Sequence, residues 1–211
     1  MSIAKTSRIR RVQWIATGFL TVGGIVNYLD RSALSIANQP ISHEIGLSPI
    51  EMGLLLSAFS WFYSFSQLPI GVLLDRLGAR LMLGAGMLLW SAAQLTAGFV
   101  HSFSAFVTCR ALLGLGEAPQ FPAGAKVVSE WFNIRERGLP IGIFVGSSCL
   151  GPCIAPPLLT VLMLGFGWRA MFMIMGLLGI IVAVSWYVTY RNRSEVPLSP
   201  EERGHLADGE A

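Results

Sequence analysis

The sequence predicts an all-α membrane protein with six transmembrane helices, and three observations predict it. Hydrophobic residues make up 53% of the 211 and charged residues 13%, against about 25% charged in soluble domains; mean hydropathy is +0.60. Uncharged windows run from Met52 to Leu74, Leu81 to Val100, Gly138 to Trp168 and Ala170 to Tyr190, each reaching the roughly 20 residues that cross a bilayer as a helix. Alternation over segments of about 10 residues, which would mark a membrane barrel, is absent.

The helices fall at 12–36, 51–74, 81–100, 104–128, 139–164 and 169–190. The first is uncharged from Val12 to Leu29 and then meets Asp30 and Arg31. It lacks a small-residue cleavage site and ends in charge, so it reads as a retained helix and not a signal peptide. The connection 37–50 is the longest; it contains Pro40, and Ser48-Pro49 ahead of Glu51 signals the start of the second helix. Asp75 and Arg76 end that helix at a membrane edge. Gly114, Gly116, Pro119 and Pro122 thin the fourth helix, and Gly151, Pro152, Pro156 and Pro157 thin the fifth. Interrupted helices are tolerated where neighbours or a cavity re-satisfy the freed carbonyls. Small residues such as Gly142 and Gly146 permit close helix contact. Met171, Met173, Met175 and the tryptophans are expected to face lipid or its interface.

Lys and Arg fix the expected orientation. Lys5, Arg8, Arg10, Arg11, Arg76, Arg80, Lys126, Arg135, Arg137, Arg191 and Arg193 fall at one set of helix ends, and Arg169 alone at the other. The positive-inside rule places both termini in the cytoplasm. The expected organisation is a basic cytoplasmic segment 1–11, a transmembrane bundle 12–190 and a solvated cytoplasmic linker or tail 191–211. A net charge of +3 does not imply nucleic acid, because the cations cap apolar runs and form no separate basic face. Cys109, Cys149 and Cys153 lie in or beside apolar segments and give no disulfide framework or metal-ligand spacing. No nucleophile–base pair or phosphate loop is present, and Gly114-x-Gly116 alone is too little for a nucleotide site; no enzyme activity, cofactor or metal is expected.

Four ionisable residues lie inside spanning segments: Asp30, Arg31, Arg110 and Glu117. Each costs about 2.5–3.5 kcal/mol at a helix centre, so together they cost on the order of 10 kcal/mol, comparable to the stability of a whole domain. Pairing, water or a functional site must offset that cost. Arg110 and Glu117 are seven residues apart, on one helix face but about 10.5 Å from each other. Each therefore needs a partner on another helix or a ligand. Asn27 and Arg31 share a face with Asp30 beside them. A basic group and a carboxylate on each of two helices suit a wet cavity for an anion and a proton; purely structural ion pairs are the alternative.

The stretch Gly71-Val-Leu-Leu-Asp75-Arg76-Leu-Gly78-Ala79-Arg80 resembles the major facilitator superfamily motif between helices 2 and 3, with Ala79 where a basic residue is usual. Asn27-Tyr28-Leu29-Asp30-Arg31, the run from Arg110 through Gly114-Leu-Gly116-Glu117-Ala118-Pro119, and Lys126 to Gly138 resemble the anion:cation symporter branch, closest to bacterial sugar-acid transporters. Gly151-Pro152 of the fifth-helix motif is present, whereas Ala155-Pro156 replaces the usual paired glycines. The resemblance implies the N-terminal half of a twelve-helix fold and proton-coupled symport of a small organic carboxylate by alternating access. It implies a multi-pass protein of the bacterial inner membrane. It assigns Tyr28, Arg31, Tyr63 and Arg110 to substrate, Asp30 and Glu117 to proton coupling, and Gly71, Asp75, Arg76, Gly78 and Arg80 to a cytoplasmic gate. Its expected partners are the anion, a proton, the bilayer, and either a C-terminal six-helix half or a second copy. A fragment, a dimerising half-transporter and a non-transporting scaffold or receptor all remain open at this point.

Overall fold

The computed structural model describes residues 6–207. Lys5 and the last residues of the tail, 208–211, lie outside the described residues. Helix α1 (Ser7–Ile36) starts where the Thr6 hydroxyl accepts from the Ile9 amide at 3.3 Å, an N-cap that satisfies one of the orphan donors of the first turn. Its 30 residues span about 45 Å, longer than the hydrocarbon, so its first turns stand outside it. A short helix α2 (Asn38–Ile45) follows in the expected connection and stops at Gly46, whose φ of 75° makes a left-handed cap.

Helix α3 (Pro49–Ala97) opens on the capping box formed by Ser48 and Glu51. It is two helices, 49–77 and 79–97, meeting at Gly78 (φ 78°, ψ 160°). The expected loop 75–80 therefore shrinks to one non-helical residue, because a glycine adopts that backbone without a Cβ clash. Helix α4 (Phe103–Glu117) and helix α5 (Gln120–Trp131) replace the single expected helix 104–128. Ala118 and Pro119 keep right-handed helical dihedrals, so the interruption lies in the hydrogen bonding that proline cannot supply and not in the direction of the chain. Helix α6 (Gly138–Thr189) is again two helices, 138–166 and 168–189, meeting at Gly167 (φ 82°, ψ 161°). Six membrane-spanning segments result: α1, the two arms of α3, α4 with α5, and the two arms of α6.

Two apolar cores lie along the bundle. One gathers Leu20, Trp90, Trp131, Phe144 and Trp186; the other gathers Leu34, Ile41, Phe106, Trp168 and Phe172. Trp14 and Trp61 are exposed, whereas Met171, Met175, Trp90, Trp131, Trp168 and Trp186 are buried, against the expectation that sulfur and indole face lipid or its interface. Inter-helix packing in this half consumes those large side chains, and shorter aliphatics such as Leu164 and Val161 face outward instead.

The two glycine bends are built alike. Arg80 stands two residues after Gly78; its Nε and Nη2 donate to Tyr187 O at 3.1 and 3.0 Å and its Nη1 meets Glu195 at 2.8 Å. Arg169 stands two residues after Gly167; its Nη1 donates to Gly98 O and Val100 O at 3.0 and 2.8 Å and its Nε meets Glu44 at 2.9 Å. Each arginine thus begins one helix and satisfies the free carbonyls that end another, where a cation is also favoured by the helix dipole. At Glu44 the Trp168 indole N–H (2.6 Å) and then Arg169 hold the carboxyl below the usual carboxylate range. Replacing Arg169 by alanine is expected to lower stability by roughly 2–3 kcal/mol, since charge-assisted bonds to carbonyls and a carboxylate are lost together. Lysine is expected to recover only part, because it lacks the planar fork. Thermal unfolding in detergent measures both.

The tail carries structure where it is described. Helix α7 (Pro200–Ala207) follows a 3₁₀ turn over Arg193–Glu195. Glu202 is buried and accepts from the Thr6 hydroxyl at 3.0 Å, Arg8 Nη1 donates to Pro197 O at 3.2 Å, and Asn192 accepts from the Arg80 amide at 3.0 Å. A polar, proline-containing composition reads as solvated, yet here it straps the ends of α1 and α6 to the Gly78 bend.

Candidate functional site

The four intramembrane charges come from α1 and α4, and the structure brings them together between the two apolar cores. Arg31 Nε donates to Glu117 Oε2 at 2.7 Å, with the glutamate fully buried and the arginine side chain 22% exposed. This bond joins the two helices and gives Glu117 the partner that Arg110, on its own helix, is too far away to be. Asp30 is buried completely and neither of its oxygens has a hydrogen-bond partner among the described residues. Arg110 is 3% exposed, and its Nε and Nη1 are likewise without a partner. A buried guanidinium with unspent donors costs several kcal/mol.

Aromatic rings surround Arg31. Its guanidinium carbon lies 5.1 Å from the centre of the Tyr28 ring, 4.8 Å from Phe59 and 4.6 Å from Tyr63. Arg110 lies 5.5 Å from the same Phe59 ring. The first half of α3 reaches this close because of Gly114: a Cβ there would stand 2.5 Å from Phe59 O and 3.0 Å from Tyr63 N. Gly151 does the same on the other side, where a Cβ would meet the Tyr28 Cβ at 2.5 Å. The glycines of α4 and α6 are thereby close-approach positions, and the site's shape depends on them.

Tyr28, Asp30, Arg31, Tyr63, Arg110 and Glu117 thus occupy one region. Phe59 belongs with them and was missed; its signal was the i, i+4 spacing to Tyr63, which puts both rings on one helix face, and they stack at 5.6 Å. The residues expected to form a gate lie at the other level, around the first bend. Gly71 is exposed, Asp75 meets Lys126 Nζ at 2.7 Å with a carboxyl 79% exposed, and Arg76 is exposed. Such a surface pair contributes about 0–1 kcal/mol. Gly78 supplies the bend and Arg80 the carbonyl clamp described above.

A bundle of six membrane helices with ionisable groups from separate helices gathered inside it is the kind that secondary transporters build in pairs. The family comparison agrees: the model described as "Major Facilitator Superfamily" matches residues 20–209, and the chain belongs to that family. It is 49% identical over 207 residues to the "Probable L-galactonate transporter" of Escherichia coli (strain K12), covering 98% of this chain and 46% of that protein. It is 33% identical over 210 residues to the "D-galactonate transporter" of Escherichia coli O6:H1, covering 99% and 48%. The chain spans about half the length of the curated relatives it matches. Their names are those of transporters and not of enzymes. Among solved structures, a bacterial homolog to the human lysosomal transporter Spinster, crystallised inward-facing and occupied, superposes with a TM-score of 0.77 at 25% identity, over 86% of this chain and 45% of that one. Its unoccupied form gives a TM-score of 0.79 at 23% identity, a likeness of fold.

Proposed function

We propose that this chain forms the N-terminal, anion-binding half of an alternating-access transporter that moves a sugar-acid-type carboxylate with a proton. The observation that carries the reading is Arg110, enclosed and with two donors unspent, beside a caged Arg31 and two buried carboxylates. A guanidinium pair recognises a carboxylate through charge-assisted, bidentate bonds that gain strength in a partly desolvated site. Arg31 has two possible partners, Glu117 and the incoming anion. A proton on Glu117 releases Arg31 to the anion, and an anion on Arg31 releases Glu117 to a proton, so the two ligands favour each other by linkage. The names of the relatives support a galactonate-like substrate.

In this reading residues 12–190 form the bundle, and the flanks 1–11 and 191–211 and both termini lie in the cytoplasm, as the distribution of Lys and Arg supports. The membrane is the bacterial inner membrane. The bend carrying Gly71, Asp75, Arg76, Gly78 and Arg80 is the cytoplasmic gate. The second wall of the cavity comes from a C-terminal six-helix half or a second copy. The test is uptake of a galactonate-type anion into liposomes containing the protein as expressed from its own gene. An acid-outside gradient is expected to drive accumulation above equilibrium. Uptake indifferent to the gradient would overturn proton symport, and no uptake of any sugar acid would overturn transport.

A further inference from the structure

We propose that Phe59 is a positioning residue of the anion site: its ring, shared by Arg31 and Arg110, holds the two guanidiniums in place while the site is empty. The inference rests on the anion-binding reading above. The ring centre lies 4.8 Å from the Arg31 guanidinium carbon and 5.5 Å from that of Arg110. The ring is 8% exposed, so little water screens either contact. An aromatic face carries negative electrostatic potential and attracts a cation placed over it. A guanidinium that stacks on a ring keeps its in-plane N–H donors for a carboxylate.

The two arginines are not equally provided for. Arg31 also has Glu117 at 2.7 Å and the rings of Tyr28 and Tyr63. Arg110 has no hydrogen bond at Nε or Nη1, and among the described residues Phe59 is the ring it faces. Without an electron-rich face there, a buried cation lowers its energy by turning toward the carboxylate that has no partner, Asp30. That self-neutralised site does not take an anion, and apparent affinity falls with the fraction of protein left competent. Phe59 itself is well held: it stacks on Tyr63 with an interplanar angle of 22°, and Gly114 lets α4 rest on its backbone.

Bulk and electrostatics separate cleanly in one experiment. Phenylalanine with one, two and three ring fluorines at position 59 keeps nearly the same shape while the face loses negative potential. With the protein as expressed from its own gene in proteoliposomes, KM for galactonate uptake is expected to climb with each fluorine, to about tenfold at three, while kcat stays within about twofold. Phe59→Leu is expected to match or exceed the trifluoro variant, and Phe59→Trp to return KM toward the unsubstituted value. A KM that stays flat across the fluorine series in an active transporter overturns the inference and leaves the ring as packing alone. Absence of uptake by the unsubstituted protein overturns the transport reading, and the inference with it.

Discussion

Arg110→Gln is expected to reduce anion uptake by about 100- to 1000-fold while making the protein more stable. The two effects have one origin. Arg110 is 3% exposed with Nε and Nη1 unpartnered, so in the empty protein its charge is a net cost that packing must offset. Glutamine removes the charge and part of that cost, and the unfolding temperature of the ligand-free protein should rise. The same change deletes a desolvated, charge-assisted pair with the substrate carboxylate. Such pairs are worth about 3–4 kcal/mol, and at about 1.4 kcal/mol per decade that gives the stated loss. Arg110→Lys should fall between, since an ammonium restores charge without the bidentate geometry. A structural arginine would behave in the opposite way, losing stability on substitution. Uptake kept within about threefold by Arg110→Gln, or a large drop in its unfolding temperature, would remove Arg110 from the site.

Glu117→Gln is expected to abolish gradient-driven accumulation while anion exchange continues. Glutamine can still accept the 2.7 Å bond from Arg31 Nε but carries no charge and takes up no proton. Arg31 is then permanently uncompensated, which leaves it free for the anion; the KM for exchange should stay level or decrease. What is lost is the reciprocity between proton and anion, so the rate of exchange should become insensitive to pH. Asp30→Asn is expected to share the loss of accumulation, since Asp30 is the other fully buried carboxylate beside these arginines. Counterflow and pH-jump uptake in proteoliposomes separate the two activities. Full accumulation by both variants would leave the proton without a carrier in this half.

Much of the fold was readable from residues taken one at a time. Uncharged windows of spanning length require helices whatever their neighbours are, because a backbone in hydrocarbon must satisfy its own hydrogen bonds. The four intramembrane charges were conspicuous for the same reason, as was the spacing that denied Arg110 and Glu117 to each other. The breaks were less legible. Gly78 and Gly167 fall in the expected connections, but nothing in the sequence showed that each connection would shrink to one residue of positive φ. Helix α2 was hidden by its eight residues and Pro40, and the folding of the tail by a composition that suits water.

The sequence by itself therefore determined the membrane class, the number of spans and the presence of expensive polar groups within them. Solvent sets those outcomes, and each segment meets the bilayer independently. Tertiary structure alone decided that Arg31 takes Glu117, that Phe59 faces two cations, and that Arg80 and Arg169 close the ends of helices many residues away. Those pairings depend on how closely two helices approach, and here glycines at 114 and 151 set the approach. A missing Cβ shows its consequence only when another backbone comes to lie against it.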